Sequence, residues 1–178
     1  MLSTKVFSSS GNAQKYYSHA DYYGAEAKGV WFGEGVKDFN LKGTFNAKTS
    51  DSFKDLLNGK MPDGKQLGKL DKSGNVIHRP GMDLTFSSPK SVSIQMHVLG
   101  NKEQKEALQA ARTRALHTTL KYIEESGMVY SRQGKGGRIQ EPITNLTFAT
   151  FTHTTNRKLE PQDHVHCLLA NGAKCKDG

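Results

Sequence analysis

The 178-residue sequence predicts an α+β fold built on a largely antiparallel sheet. Three observations carry this expectation. Over 102–126, Leu108, Ala111, Ala115, Leu116, Thr119, Leu120 and Ile123 recur at three- and four-residue steps between Asn101 and Gly127, which is the pattern of a long amphipathic helix with its start and stop signals. Met82-Asp83-Leu84-Thr85-Phe86 alternates strictly, as a half-buried strand does, with Asp83 and Thr85 on the face opposite Met82, Leu84 and Phe86. After the helix come two hairpins: 128–132 with 139–143 around the glycine-rich QGKGGR loop, and 146–154 with 164–171 around 156–163.

The remaining elements follow in order. Residues 1–7 read as a short strand. Asn12 is placed to cap a helix running to about Tyr23, since NAQKYYSHADYY holds no proline or glycine to stop it. Residues 24–48, with Gly24, Gly29, Gly33, Gly35 and Gly43, read as loop, anchored on the body by Trp31 and Phe32. Ser50 or Asp51 starts a short helix, SFKDLLNG, which Gly59 ends. Residues 60–81 have the Pro and Gly content of a connection. Ser87-Ser88-Pro89 is a helix-start signal, and that helix is expected to run to about His97. There is no internal repeat and no low-complexity segment.

The length fits one domain, and the composition constrains its partner. With 25 Lys+Arg against 17 Asp+Glu the net charge is +8, and the pI is about 9.5. A cationic surface of that size favours a polyanion, because each cation set against a phosphate releases condensed counterions. The charge is diffuse, with no block of five like charges to form a basic tail. No run of 18 apolar residues and no signal-peptide core is present, so the expectation is a cytoplasmic protein without membrane insertion. Cys167 and Cys175 lack the spacing of a disulfide framework or a thiolate zinc site.

Two clusters carry chemistry. His164 and His166, one residue apart in a strand, project from the same side of the sheet. His153 ends the preceding strand on the parity of Ala149 and Phe151, so a hairpin would bring three imidazoles to one point, a metal-ligand set with positions left open. Asp83 is an available carboxylate to orient such an imidazole or to take a proton from a nucleophile. The second cluster is aromatic: Tyr16-Tyr17 and Tyr22-Tyr23 put four of the six tyrosines in eight positions. A helical core stripe accounts for one ring of each doublet, and the neighbour, about 100° around the helix, points elsewhere. A phenol in this company suits nucleophilic attack on a phosphodiester whose charge a metal neutralises.

The ordered segments YYSHADYY, WFGEG, HRPGMDLTFSSPKSVSI and FTHTTNRKLEPQDHVHCLLAN, spread over about residues 1–171, resemble the successive motifs of the TrwC/TraI-type (MobF) conjugative relaxases of the HUH endonuclease superfamily. The resemblance implies a central antiparallel sheet with helices packed on one face, a two-layer sandwich. It also implies an enzyme that nicks single-stranded DNA at an origin of transfer by transesterification, leaving a 5′-phosphotyrosyl link and a free 3′-hydroxyl, and that later rejoins the strand. Tyr16 matches the first nucleophile and Tyr22 the second, with Tyr17 and Tyr23 as neighbours. Asp83 matches the acidic residue beside the metal, and His153, His164 and His166 match its ligands. Mg2+ or Mn2+ is the implied working ion, although Zn2+ or Ni2+ binds imidazoles more tightly. Accessory relaxosome proteins and the secretion machinery are implied partners in a bacterial cytoplasm.

Asp177-Gly178 is a preferred hairpin turn, so the expectation is that residues 1–178 form the N-terminal catalytic part of a longer protein, cut where another strand should follow. Three rivals remain at this stage. A rolling-circle replication initiator of the same superfamily shares the His-x-His site, although tyrosines ahead of the histidines favour the relaxase. A His-rich iron oxidoreductase leaves the +8 charge unexplained, and a non-catalytic single-stranded-DNA-binding module would keep the fold without the chemistry.

Overall fold

The computed structural model describes residues 1–18, 27–133 and 138–174. Its centre is a six-stranded sheet in the order β1-β6-β10-β9-β2-β3, antiparallel at every pairing. The strands are β1 (Leu2–Val6), β2 (Lys28–Phe32), β3 (Thr44–Asn46), β6 (Gly81–Ser87), β9 (Phe148–Thr155) and β10 (Pro161–Ala170). Two small hairpins stand outside it: β4 (Lys69–Leu70) with β5 (Val76–Ile77), inside the segment expected to be connection, and β7 (Tyr130–Gln133) with β8 (Ile139–Pro142), where a hairpin is expected. The described helices are α1 (Ser10–Ser18), α2 (Asp51–Leu57), α3 (Lys90–Ile94) and α4 (Lys102–Glu125).

Side-chain parity divides the interior in two. Leu84, Phe148, Val165 and Cys167 point to one face of the sheet and pack with Leu116, Leu120 and Ile123 of α4. Ala149, Phe151, Leu168 and Ala170 point to the other face and pack with Ala13 and Tyr17 of α1 and Phe53, Leu56 and Leu57 of α2. The antiparallel α+β class holds, and the long helix covers one face as expected. The expectation of helices on one face only is corrected, because α1 and α2 cover the other. Both faces of β9 and β10 are apolar, so each needs a cover to remove its surface from water.

Local chemistry sets the boundaries. Asn101 and Gln104 form a reciprocal capping box at the start of α4. Ser50 caps α2 through Phe53 N–H. For α1 the cap is Ser9 and not Asn12, whose own N–H donates to Ser9 Oγ; the expected stretch from His19 to Tyr23 lies outside the described residues. At Ser88-Pro89 the chain is still extended and α3 begins at Lys90. The Ser88 hydroxyl bonds Asp163 instead of capping the helix, and a π-helical turn over Gln95–Leu99 carries α3 past His97.

The main correction falls in 24–48, expected as loop. It contains β2, a short 3-10 turn over Glu34–Val36, and β3. Gly29 is needed inside β2, since a Cβ there would lie 2.4 Å from the Phe45 ring. Phe45 crosses the bare backbone to stack on Trp31 at 4.1 Å.

Candidate active site

The two central strands build the site. In the β9–β10 ladder His164 lies opposite His153, and His166 lies opposite Phe151. Alternation puts His164 and His166 on one face, and cross-strand pairing adds His153 to it. Each pair of imidazole centroids is 5.1 Å apart, and one ligand nitrogen from each ring lies within 4.8 Å of the others. His164 and His166 are buried and His153 is half-buried.

Hydrogen bonds fix the tautomers of the two β10 rings. His164 Nδ1 lies 2.9 Å from Gln162 O. A carbonyl only accepts, so Nδ1 carries the proton and Nε2 the lone pair. His166 Nδ1 lies 2.7 Å from Asp83 Oδ2, and the Thr85 hydroxyl donates to the same oxygen at 2.8 Å. The carboxylate takes both protons, which again leaves the lone pair on Nε2.

Electrostatics agrees with a ligand role. Burial, followed by the neighbouring His166 and His164 rings, pushes His153 down to about 3. Burial also pushes His164 down, outweighing its bond to Gln162. Both are therefore neutral near pH 7, the form that binds a metal. Burial works to raise the Asp83 pKa, but hydrogen bonds from His166, Tyr17 and Thr85 and the His166 charge outweigh it and hold the carboxyl below the usual range. Three converging imidazoles with a carboxylate behind one of them fit a single divalent ion with positions left for oxygen ligands.

The first tyrosine doublet is split between the core and the site. Tyr17 is 1% exposed, stacks on Phe151 at 4.6 Å, and donates its hydroxyl to Asp83 Oδ1 at 2.7 Å. Tyr16 is half-buried, with its ring edge-on to His166 at 5.6 Å and Lys5 Nζ 4.4 Å from its ring centroid. Tyr22 and Tyr23 lie outside the described residues. The structure thus brings together His153, His164, His166, Asp83, Tyr16 and Tyr17.

Sequence reasoning missed three partners. Thr85 shares the parity of Asp83, which was a usable signal; Gln162 acts through its backbone and gave none, and Lys5 is one cation among many. Asp83 itself is not the solvated residue that an isolated polar position on a strand suggests. β6 lies between β1 and β10, and Tyr17 of α1 covers its polar face.

Comparison with known proteins agrees with this geometry. The family profile described as TrwC relaxase matches residues 10–178. The Multifunctional conjugation protein TraI of Escherichia coli is 37% identical over 174 residues, and that of Escherichia coli strain K12 is 36% identical, each match covering 96% of this chain and 9% of the relative. Among solved structures, the metal-bound complex of the conjugative relaxase TrwC with oriT DNA has a TM-score of 0.77 at 34% identity, covering 100% of this chain and 59% of that one. A copper-bound complex of TrwC with oriT DNA has a TM-score of 0.78 at 34% identity, covering 100% of this chain and 60% of that one. TrwC complexed with a 27-mer DNA comprising the recognition hairpin and the cleavage site has a TM-score of 0.76 at 32% identity, covering 100% and 58%. The chain spans under a tenth of the curated relatives' length and about three-fifths of the solved chains. A matched profile over most of the sequence and a shared fold at these identities lead to one assignment: the chain belongs to the TrwC relaxase family.

Proposed function

We propose that this chain nicks one DNA strand at an origin of transfer by transesterification, with Tyr16 as nucleophile and His153, His164 and His166 holding one divalent ion. The observation that carries the proposal is the Tyr16 ring set edge-on against His166, within a cluster of three imidazoles. The relatives support the substrate: TraI is a conjugation protein, and TrwC is known in complex with oriT DNA.

The reaction balances without an outside reactant. The Tyr16 oxygen forms a bond to phosphorus, and the bond from phosphorus to the 3′ oxygen breaks. The phenol loses a proton and the departing 3′ oxygen gains one, leaving a 5′-phosphotyrosyl link and a 3′-hydroxyl. One ester replaces another, so reversal can rejoin the strand without ATP. When bound, the ion neutralises charge on the non-bridging phosphate oxygens. Asp83 already accepts from Tyr17, Thr85 and His166, so we assign it the orientation of His166 and not the removal of the Tyr16 proton. Tyr22 is assigned to the second transfer with Tyr23 as its neighbour, an assignment supported by their match to the family's second doublet.

Mg2+ or Mn2+ is proposed as the working ion, with Zn2+, Ni2+ or Cu2+ as tighter occupants. The proposal includes a bacterial cytoplasmic setting, accessory relaxosome proteins and secretion machinery as partners, and a role for residues 1–178 as the catalytic domain at the N-terminal side of a longer protein. Incubating the protein with single-stranded origin DNA and Mn2+ should give a band that resists denaturing electrophoresis. Tyr16→Phe should bind the same DNA and give no such band; an undiminished adduct from that variant would refute the assignment.

A further inference from the structure

Asp163 immediately precedes His164 and is fully buried, yet none of the chemistry above uses it. Its side chain points to the far face of the sheet, toward α3 and α4. There Arg112 Nη1 of α4 donates to Oδ1, His97 Nε2 lies 3.1 Å from the same oxygen, and Ser88 Oγ donates to Oδ2 at 2.9 Å. The backbone is held as well. Asp163 N–H donates to Ser93 Oγ at 2.9 Å, and Asp163 O accepts from Ser88 N–H at 2.9 Å.

These contacts fall where the ladder is interrupted. The β9–β10 register shifts between Pro161 and His164, so a bulge leaves the residues just ahead of His164 outside regular pairing with β9. The peptide unit joining Gln162 and Asp163 is engaged at both ends. Its carbonyl accepts the His164 Nδ1 proton, and its N–H donates to Ser93 Oγ. A peptide is rigid and turns as one plane. Rotation at Ser93 would therefore swing the carbonyl that fixes the His164 tautomer and ring direction.

We propose that Asp163, held by Arg112, His97, Ser88 and Ser93, is a positioning residue for the metal centre that fixes His164 from the opposite face of the sheet. The inference rests on the His153, His164 and His166 triad proposed above. It implies that α4, whose Arg112 anchors the carboxylate, contributes to metal affinity without touching the metal side. Residues that orient a metal-bound imidazole typically change affinity by roughly 10- to 100-fold when removed.

The test measures Zn2+ affinity by calorimetry on the whole chain, together with the Co2+ absorption spectrum and thermal melting. Asp163→Asn should bind Zn2+ about 10- to 100-fold more weakly and alter the Co2+ spectrum. Ser93→Ala, which removes the acceptor for the Asp163 N–H together with the Ser93 hydroxyl's own bond to Pro89 O, should shift both in the same direction. Ile123→Ala, on the apolar face of α4 but about three turns from Arg112, lowers stability and should leave both unchanged, which separates positioning from general loosening. If Asp163→Asn does not fold, Arg112→Gln is read in its place with the same expectation. Wild-type Zn2+ affinity in these variants, with affinity lost in His164→Ala, would overturn the positioning role and leave the triad standing. Absence of Zn2+ binding by the wild-type protein would overturn the triad and this inference together.

Discussion

Lowering the pH should separate His153 from an ordinary histidine. Burial and the adjoining imidazoles push it from 6.5 to about 3. At pH 5 an ordinary imidazole is about 97% protonated, whereas one that titrates near 3 is about 1% protonated. The unfolded chain takes up this proton as pH falls below 6.5, and the folded chain does so only near 3. Across that window the unfolded state binds more protons, so stability falls as pH falls, by about 2 kcal/mol from this one residue at pH 5. Metal binding shows the other side of the same neutrality. An ordinary imidazole ligand loses about tenfold in affinity to proton competition between pH 7.5 and 5.5, and His153 should contribute almost none of such a loss. The assay is an NMR titration of the imidazole resonances of the metal-free protein from pH 8 to 5, assigned with His153→Gln. A His153 inflection between pH 6 and 7 would refute the reasoning, because the ring would then be neither buried nor pressed by its neighbours as described.

Tyr17→Phe keeps the ring on Phe151 but removes a buried donor to Asp83, so it should still form the covalent adduct while losing about 1.5–3 kcal/mol of stability in urea unfolding. Glu124 accepts from Glu34 N–H at 2.9 Å and Leu146 N–H at 2.8 Å while 5% exposed. Glu124→Ala should therefore cost about 2–4 kcal/mol in the same assay, and Glu124→Gln, which keeps an acceptor, clearly less. Affinity for single-stranded DNA should fall with salt at a logarithmic slope of about −0.7 per phosphate neutralised, measured by fluorescence anisotropy; a flat salt response would contradict binding through the +8 charge.

Much of this was legible in the sequence, and what escaped did so for identifiable reasons. Period and parity travel well from sequence to structure: α4 runs between the predicted cap and glycine, and the parity of His153, His164 and His166 anticipates their convergence. Strand β2 was hidden because its glycine is explained only by Phe45, which arrives from a separate strand. The covering of both faces was hidden because α1 and α2 are too short for a clear apolar period, and β9 and β10 place apolar side chains on either side. Neighbouring tyrosines look equivalent in a sequence. Only the packing of α1 sends Tyr17 inward to Asp83 and sets Tyr16 beside His166. Asp163 gave no local signal, since its partners come from 51 to 75 residues away.

The most direct test of the central claim is to trap the covalent adduct with origin DNA, digest it, and locate the nucleotide-bearing peptide by mass spectrometry. The account predicts the modification on Tyr16. Modification of Tyr17, Tyr22 or Tyr23 as the first product, or no covalent product in the presence of Mn2+, would contradict it.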